Sequence, residues 1–171
     1  MKIAIVKLSA LGDIIHAMVA LQFIKRHLPD SSIDWIVEEG FKDILINNPD
    51  IDNIHTINIK QAKQKKSFKL LFSEFKKLRK LPKYDVVIDA QGLIKSAIVS
   101  KLIKSDRVSG FDKHSIRESI ATMMYNHTTA IAYDANTIDR NVSVICHPLN
   151  FKVSSESILH KKPFLFSHSN I

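Results

Sequence analysis

The sequence predicts an α/β protein built on a parallel sheet flanked by helices. Two observations carry this. Short apolar runs rich in Ile and Val alternate with longer segments whose apolar residues recur at helical spacing, the signature of successive βαβ units. Stop signals such as Pro29-Asp30 and Pro82 fall at the joints between them. Residues 2–7 read as a buried strand. Residues 13–28 read as a helix with Ile14, Met18, Leu21 and Leu28 on one stripe. Ile33 to Val37 is the next strand, followed by Glu38-Glu39-Gly40 and a short helix near 41–47. Ile54 to Ile59 alternates as a third strand and leads into a basic segment, Lys60 to Lys66. Phe68, Leu71, Phe72, Phe75 and Leu78 keep the i, i+3, i+4, i+7 spacing of a helix, and this stripe is expected to pack on the sheet. Tyr84 to Asp89 is a buried strand, Leu93 to Ile103 a helix and Arg107 to Gly110 a short strand. Ile116, Ile120, Met123 and Met124 predict a helix, Thr128 to Tyr133 a strand, and Ile138, Val142, Ile145 and Leu149 a further helix. From about Phe151 the pattern fades. Lys161-Lys162-Pro163 reads as a linker and Phe164-Leu165-Phe166 as a strand without partners. The chain thus divides into a domain over residues 1–150 and a tail over 151–171, the tail expected to be mobile or packed on the domain.

Bulk properties narrow the function classes. The 171 residues carry a net charge of +8, which favours anionic partners: nucleic acid, a phosphorylated glycolipid or a membrane surface. A single cysteine, Cys146, rules out an intrachain disulfide and fits a reducing compartment. Only four apolar residues separate Lys2 from Lys7, too few for the core of a signal peptide, and no apolar run approaches the roughly 20 residues of a spanning helix. The expected location is the cytosol or the cytosolic face of a membrane. The four glycines, Gly12, Gly40, Gly92 and Gly110, cannot spell a GxGxxG or GxxxxGK phosphate loop. His16, His114, His127 and His147 are scattered without metal-ligand spacing, and no hydrolase triad is written in the sequence.

Four constellations could carry chemistry. Leu8-Ser9-Ala10-Leu11-Gly12-Asp13 joins the first strand to the first helix, and ligands of open α/β sheets sit at such strand ends. Asp13 is the first candidate for a working acid, although Ser9 or Asp13 could simply cap the helix. Asp89-Ala90-Gln91-Gly92-Leu93-Ile94-Lys95 repeats the arrangement, with Gln91 and Lys95 as donors beside a glycine that lets a ligand approach, or as members of a polar turn. Lys60, Lys63, Lys65 and Lys66 form either a solvated face or an anion-binding flap leading into a basic amphipathic helix that could lie on anionic lipid. Arg117 is expected in the first turn of a helix, where a cation is not favoured, so Glu118, Asp112 or an anionic ligand is needed to hold it.

Taken together, VKLSALGDIIHAM at 6–18, DWIVEEGF at 34–41, YDVVIDAQGLIKSA at 84–97, and GFDKHSIRES with MMYN over 110–126 resemble the N-terminal half of the lipopolysaccharide heptosyltransferases. These are inverting glycosyltransferases of family 9 and GT-B type, and VEEGF with DAQGLIKSA points to the first-acting members. The resemblance implies two Rossmann-like domains facing across a cleft, the N-terminal one holding the acceptor and the general base. It implies transfer of L-glycero-D-manno-heptose from ADP-heptose to Kdo of Kdo-lipid A, at the cytosolic face of the inner membrane and in contact with its anionic surface. Asp13 matches the base. Ser9, Ala10, Leu11 and Gly12 match the cleft loop beside it. Lys60, Lys63, Lys65 and Lys66 fall where the family grips the acidic groups of the acceptor. Gln91, Gly92 and Lys95 match the second cleft loop, and Arg117 a position that can face the acceptor. No metal or other cofactor is implied; cations and helix N-termini offset the diphosphate charge.

The family's ADP-sugar domain is not among these 171 residues. The tail therefore reads as an interdomain linker and the start of that second domain, and the chain is expected to be inactive alone. Two other readings stay open: a non-catalytic basic module for anionic lipid or nucleic acid, and a heptosyltransferase for a later acceptor. No nucleic-acid motif supports the nucleic-acid version.

Overall fold

The computed structural model describes residues 1–167. Six strands, β1 (Lys2–Val6), β2 (Ser32–Glu38), β3 (Asn53–Ile57), β4 (Tyr84–Asp89), β5 (Ser105–Phe111) and β6 (His127–Thr129), form one sheet in the order β3-β2-β1-β4-β5-β6. Every pairing is parallel. The expected α/β class with helices flanking a parallel sheet is therefore the fold of this chain. Central strands of such a sheet are covered on both faces, which explains their uninterrupted apolar runs. Ile3 and Ile5 of β1 join Ile33, Trp35, Val86 and Ile88 in one core, while Ala4 and Val6 join Ile36 and Val87 in the other.

The first core is closed by α1 (Leu11–His27) and α5 (Thr137–Cys146). The second is closed by α3 (Phe68–Arg79), through Phe75 and Leu78, and by α4 (Ile94–Leu102), through Val99 and Leu102. Strand order reverses between β1 and β4, so the carboxyl ends of these two strands flank a crevice. That is where ligands bind in doubly wound sheets.

Several expectations need correction. The basic segment 60–66, given no secondary structure from its sequence, opens as a helix, α2 (Ile59–Gln64). The helix expected around Ile116–Met124 reduces to a 3₁₀ turn over Ser119–Met124, with Ile120 63% and Met123 82% exposed. Residues 112–116 cannot join it. The Ser115 amide and hydroxyl both bond to Asp112, and Ser115 Oγ also accepts from Ile131 N at 2.8 Å. The strand expected over 128–133 closes after Thr129. Phe164-Leu165-Phe166 forms no strand: Asn48 Nδ2 donates to the Phe164 carbonyl at 3.1 Å, and the Phe164 ring packs on the first core. Gln22 and Lys162 exchange two hydrogen bonds of 3.1 and 2.9 Å, and Phe151 stacks on His27 at 4.1 Å. The tail also contains a short helix, α6 (Ser155–Leu159), capped by Ser154 and burying Ile158. The last four residues of the tail, 168–171, lie outside the described residues.

Asp34, buried in β2, fastens three strands. It lies 2.9 Å from Asn53 Nδ2 and 2.9 Å from His55 Nε2 on β3, and accepts from Tyr84 Oη on β4 at 2.6 Å. Burial pushes its carboxyl up, but these partners outweigh burial and hold it below the usual range. A group depressed in the folded state contributes stability that is complete above the unfolded carboxylate value, about 4, and is lost as pH falls through the lower folded value. Urea unfolding followed below about pH 4 should therefore show a flatter acid limb for Asp34→Asn than for the parent. An equally steep limb would refute this assignment.

Candidate functional site

At the crevice the two strand ends are stitched together by side chains. Asp89, the last residue of β4, is fully buried. It accepts hydrogen bonds from Gln91 N (2.9 Å), Gly92 N (3.2 Å), Ser96 Oγ (2.9 Å) and Tyr125 Oη (2.5 Å). Burial pushes the Asp89 carboxyl up and these donors oppose it; burial and the Asp89 charge together push the Tyr125 hydroxyl up. The turn so fixed aims Gln91 back at β1. Its Oε1 accepts from Leu8 N at 2.7 Å and Ser9 N at 3.2 Å, and its Nε2 donates to Ser9 Oγ at 3.3 Å.

Gly92 takes a left-handed backbone, φ +74°, and an added Cβ would lie 3.1 Å from both Ile116 and Phe111. Gly92 is buried, so its missing side chain serves packing; the expectation that it opens the backbone to a ligand is corrected.

Beyond this stitch α1 begins. Its N-cap is Ala10, with no side-chain cap, so neither Ser9 nor Asp13 takes the capping role that the sequence left open. Ala10, Leu11, Gly12 and Asp13 are all exposed, and a Cβ at Gly12 would meet nothing within 4 Å. Asp13 sits in the first turn and forms no ion pair among the described residues. Below it, the buried Lys7 Nζ donates to the Ala90 carbonyl at 2.9 Å. Burial pushes the Lys7 ammonium down, against the Asp13 and Asp89 charges.

One turn before Asp13, Ser9 borders a cavity of about 820 Å³. Lys60, Lys63, Lys66 and Lys95 line it, together with Phe41, Ile59, Phe68, Leu71 and Phe75. Four of the expected cations thus converge, presented by α2, its exit turn and α4. Lys66 makes that turn with a left-handed backbone, φ +48°. Lys65 is exposed and is not among the lining residues. Sequence reasoning missed Glu38, which lines the same cavity at the carboxyl end of β2. Burial pushes its carboxyl up; Lys95 and the amides of Lys60 and Ile59 at the start of α2 oppose this. Its position at a strand end was the signal that could have found it.

Arg117 is not in a helical first turn. It precedes the 3₁₀ turn and is exposed. The carboxylates expected to hold it are engaged elsewhere: Glu118 accepts from Ile94 N at 2.6 Å and Asp112 from Ser115. Arg117 therefore adjoins Glu118, which reaches the start of α4, but is not among the residues lining the cavity.

A sequence model of glycosyltransferase family 9 (heptosyltransferase) matches residues 72–165. Lipopolysaccharide heptosyltransferase 1 of Campylobacter coli is 43% identical over 150 residues, covering 88% of this chain and 42% of that protein. The protein of the same name from Pseudomonas aeruginosa is 32% identical, covering 88% of this chain and 43% of its own length. The chain thus spans under half the length of these relatives. The structure of E. coli heptosyltransferase WaaC with ADP superposes with a TM-score of 0.83 at 30% identity, over 91% of this chain and 49% of that one. The same enzyme with ADP-2-deoxy-2-fluoro heptose gives 0.84 at 30% identity, over 91% and 50%.

The stitch is open to direct test. Gln91→Leu removes the acceptor of two part-buried amides and should cost about 1–2 kcal/mol in urea unfolding. Amide exchange at Leu8 and Ser9 should accelerate with it. Unchanged exchange at both would show that Gln91 does not hold the loop.

Proposed function

The chain belongs to glycosyltransferase family 9, the heptosyltransferases, and on that premise we propose that it is the acceptor-binding, N-terminal half of a GT-B enzyme of lipopolysaccharide inner-core synthesis. The reaction is transfer of L-glycero-D-manno-heptose from ADP-heptose to Kdo of Kdo-lipid A. Residues 1–150 form the acceptor domain. Residues 151–171 lead into the domain that holds the ADP-sugar.

One observation carries this reading: an exposed carboxylate, Asp13, stands in the first turn of α1 at the switch point of the sheet, four residues after Ser9, which lines a lysine-rimmed cavity. In the reaction an acceptor hydroxyl oxygen attacks the anomeric carbon of the sugar. Asp13 accepts the hydroxyl proton as the new C–O bond forms, the bond to ADP breaks with its electron pair leaving on the phosphate oxygen, and configuration inverts. Lys60, Lys63, Lys66 and Lys95 hold acidic groups of the acceptor, with Ser9 and Gln91 shaping the wall between them and the base. Ala10, Leu11 and Gly12 form the exposed lip on which acceptor and donor meet. Lys65 and Arg117 contribute from outside the cavity. In this reading the enzyme reaches its lipid acceptor from the cytosolic surface of the membrane; among the described residues no helix is long and apolar enough to cross it.

Two measurements test this on the full-length enzyme. Asp13→Asn should lower kcat about 10²- to 10⁴-fold with little change in the acceptor KM; near-normal turnover by a folded variant would remove Asp13 as the base. Kdo-lipid A should be heptosylated in preference to an acceptor that already carries heptose. The reverse preference would assign the chain to a later step.

A further inference from the structure

The helix α3 does not bury its whole apolar stripe. Leu78 is 2% exposed and Phe75 packs on the second core, but Phe68 is 87% and Phe72 71% exposed. This corrects the expectation that the stripe packs on the sheet. The exposed residues Lys69, Phe72, Lys76 and Arg79 follow one another at i, i+3, i+7 and i+10, so an aromatic ring projects from a line of cations on one helical face. Between Lys60 and Lys80 lie nine cations and one acid, Glu74, so this segment carries the chain's whole net charge of +8 and the other residues balance. Glu74 offsets little at the surface. It is buried, its Oε2 accepts from Asn58 N at 2.9 Å, and its Oε1 pairs with Lys77 at 2.6 Å.

We propose that the outer face of α3 docks on an anionic lipid surface, with Phe72 entering the headgroup layer and Lys69, Lys76 and Arg79 pairing with lipid phosphates around it. Exposed aromatic rings on a helix with a basic flank bind at such interfaces, and the attraction depends on the anionic lipid fraction. A nucleic acid fits less well, because a phosphate backbone has no use for a ring standing alone among cations without a groove or a second stacking platform. The inner face of the same helix lines the cavity through Leu71 and Phe75. Docking therefore sets the mouth of the cavity at the membrane, where an acceptor anchored by acyl chains enters sideways without leaving the bilayer. This last consequence rests on the lipid-borne acceptor proposed above; the docking itself does not.

The purified chain, mixed with vesicles of phosphatidylethanolamine and phosphatidylglycerol, should co-sediment, and should not do so with neutral phosphatidylcholine. Phe72→Ser should weaken partitioning roughly tenfold, and the triple variant Lys69→Gln, Lys76→Gln, Arg79→Gln should abolish the preference for anionic vesicles, with thermal unfolding unchanged because all four positions are exposed. Equal binding to both vesicle types, parental binding by Phe72→Ser, or equally tight binding of a short single-stranded RNA that ignores Phe72 would each overturn the proposal. In the full-length enzyme, Phe72→Ser should slow transfer to vesicle-embedded acceptor while leaving transfer to a water-soluble deacylated acceptor intact. Absence of transfer to either acceptor by the parent would instead refute the heptosyltransferase reading and leave the vesicle result standing.

Discussion

The crevice depends on a single buried carboxylate. Asp89 has no exposure to water, so its charge must be balanced inside the protein or the fold loses several kcal/mol. Four donors do this: two amides of the following turn, a hydroxyl from α4 and the Tyr125 phenol. The two amides meet Oδ1 and the two hydroxyls meet Oδ2, so both oxygens of the carboxyl group are occupied. Because the amides of Gln91 and Gly92 are held, the Gln91 side chain has one direction to take, and it meets the amides of Leu8 and Ser9. The chain of constraint then runs from β4 through Gln91 to the first turn of α1, which carries Asp13. Gly110 belongs to the same unit, since a Cβ there would overlap the Tyr125 ring and displace the phenol from Asp89.

Two further carboxylates, Glu38 and Glu74, stand behind the basic side. Glu38 faces the amides that open α2, and Glu74 takes the Asn58 amide just before them. The α2–α3 hairpin is therefore anchored at its root by negative charge, while its outer surface is almost wholly positive. Burial raises the cost of Glu38, and Lys95 on α4 reduces it. Lys95 is thus set against an internal countercharge, and among the described residues Lys60, Lys63, Lys66 and Lys95 form no ion pair. The apolar side chains of Phe41, Leu71 and Phe75 line the same cavity.

What could be read in the sequence follows from which signals are local. β1, β2 and β4 were legible because both faces are buried and their runs are apolar, broken in β2 by Asp34 alone between Ile33 and Val37. The switch-point loops were legible because they lie at strand ends, wherever the helices go. The fate of Ile120 and Met123 was not, because Asp112 and Ser115 form a turn that removes a full helical nucleus, and only side-chain bonds made in space reveal it. Spacing marked Phe68 and Phe72 as core, since periodicity shows that residues share a face without showing what covers it. Gly92 was misread for a related reason: a glycine required by neighbours such as Phe111 looks in sequence like one that admits a ligand. Glu38 was passed over although its place at the end of β2 matches that of Asp89 on β4.

The start of α1 leaves a stabilising contact unmade. A Ser, Thr, Asn or Asp at the N-cap is worth about 1 kcal/mol over Ala, yet Ala10 occupies it. A capping residue is at hand, but Ser9 is committed to Gln91. Asp13, a turn later, stands exposed and forms no ion pair among the described residues. A capped terminus would have used the acid's lone pairs and closed the amides of the first turn to any anionic group. Left uncapped, the terminus keeps a positive helix end that favours negative charge beside an exposed carboxylate, the pairing that the proposed transfer of a sugar from a diphosphate to a hydroxyl would use.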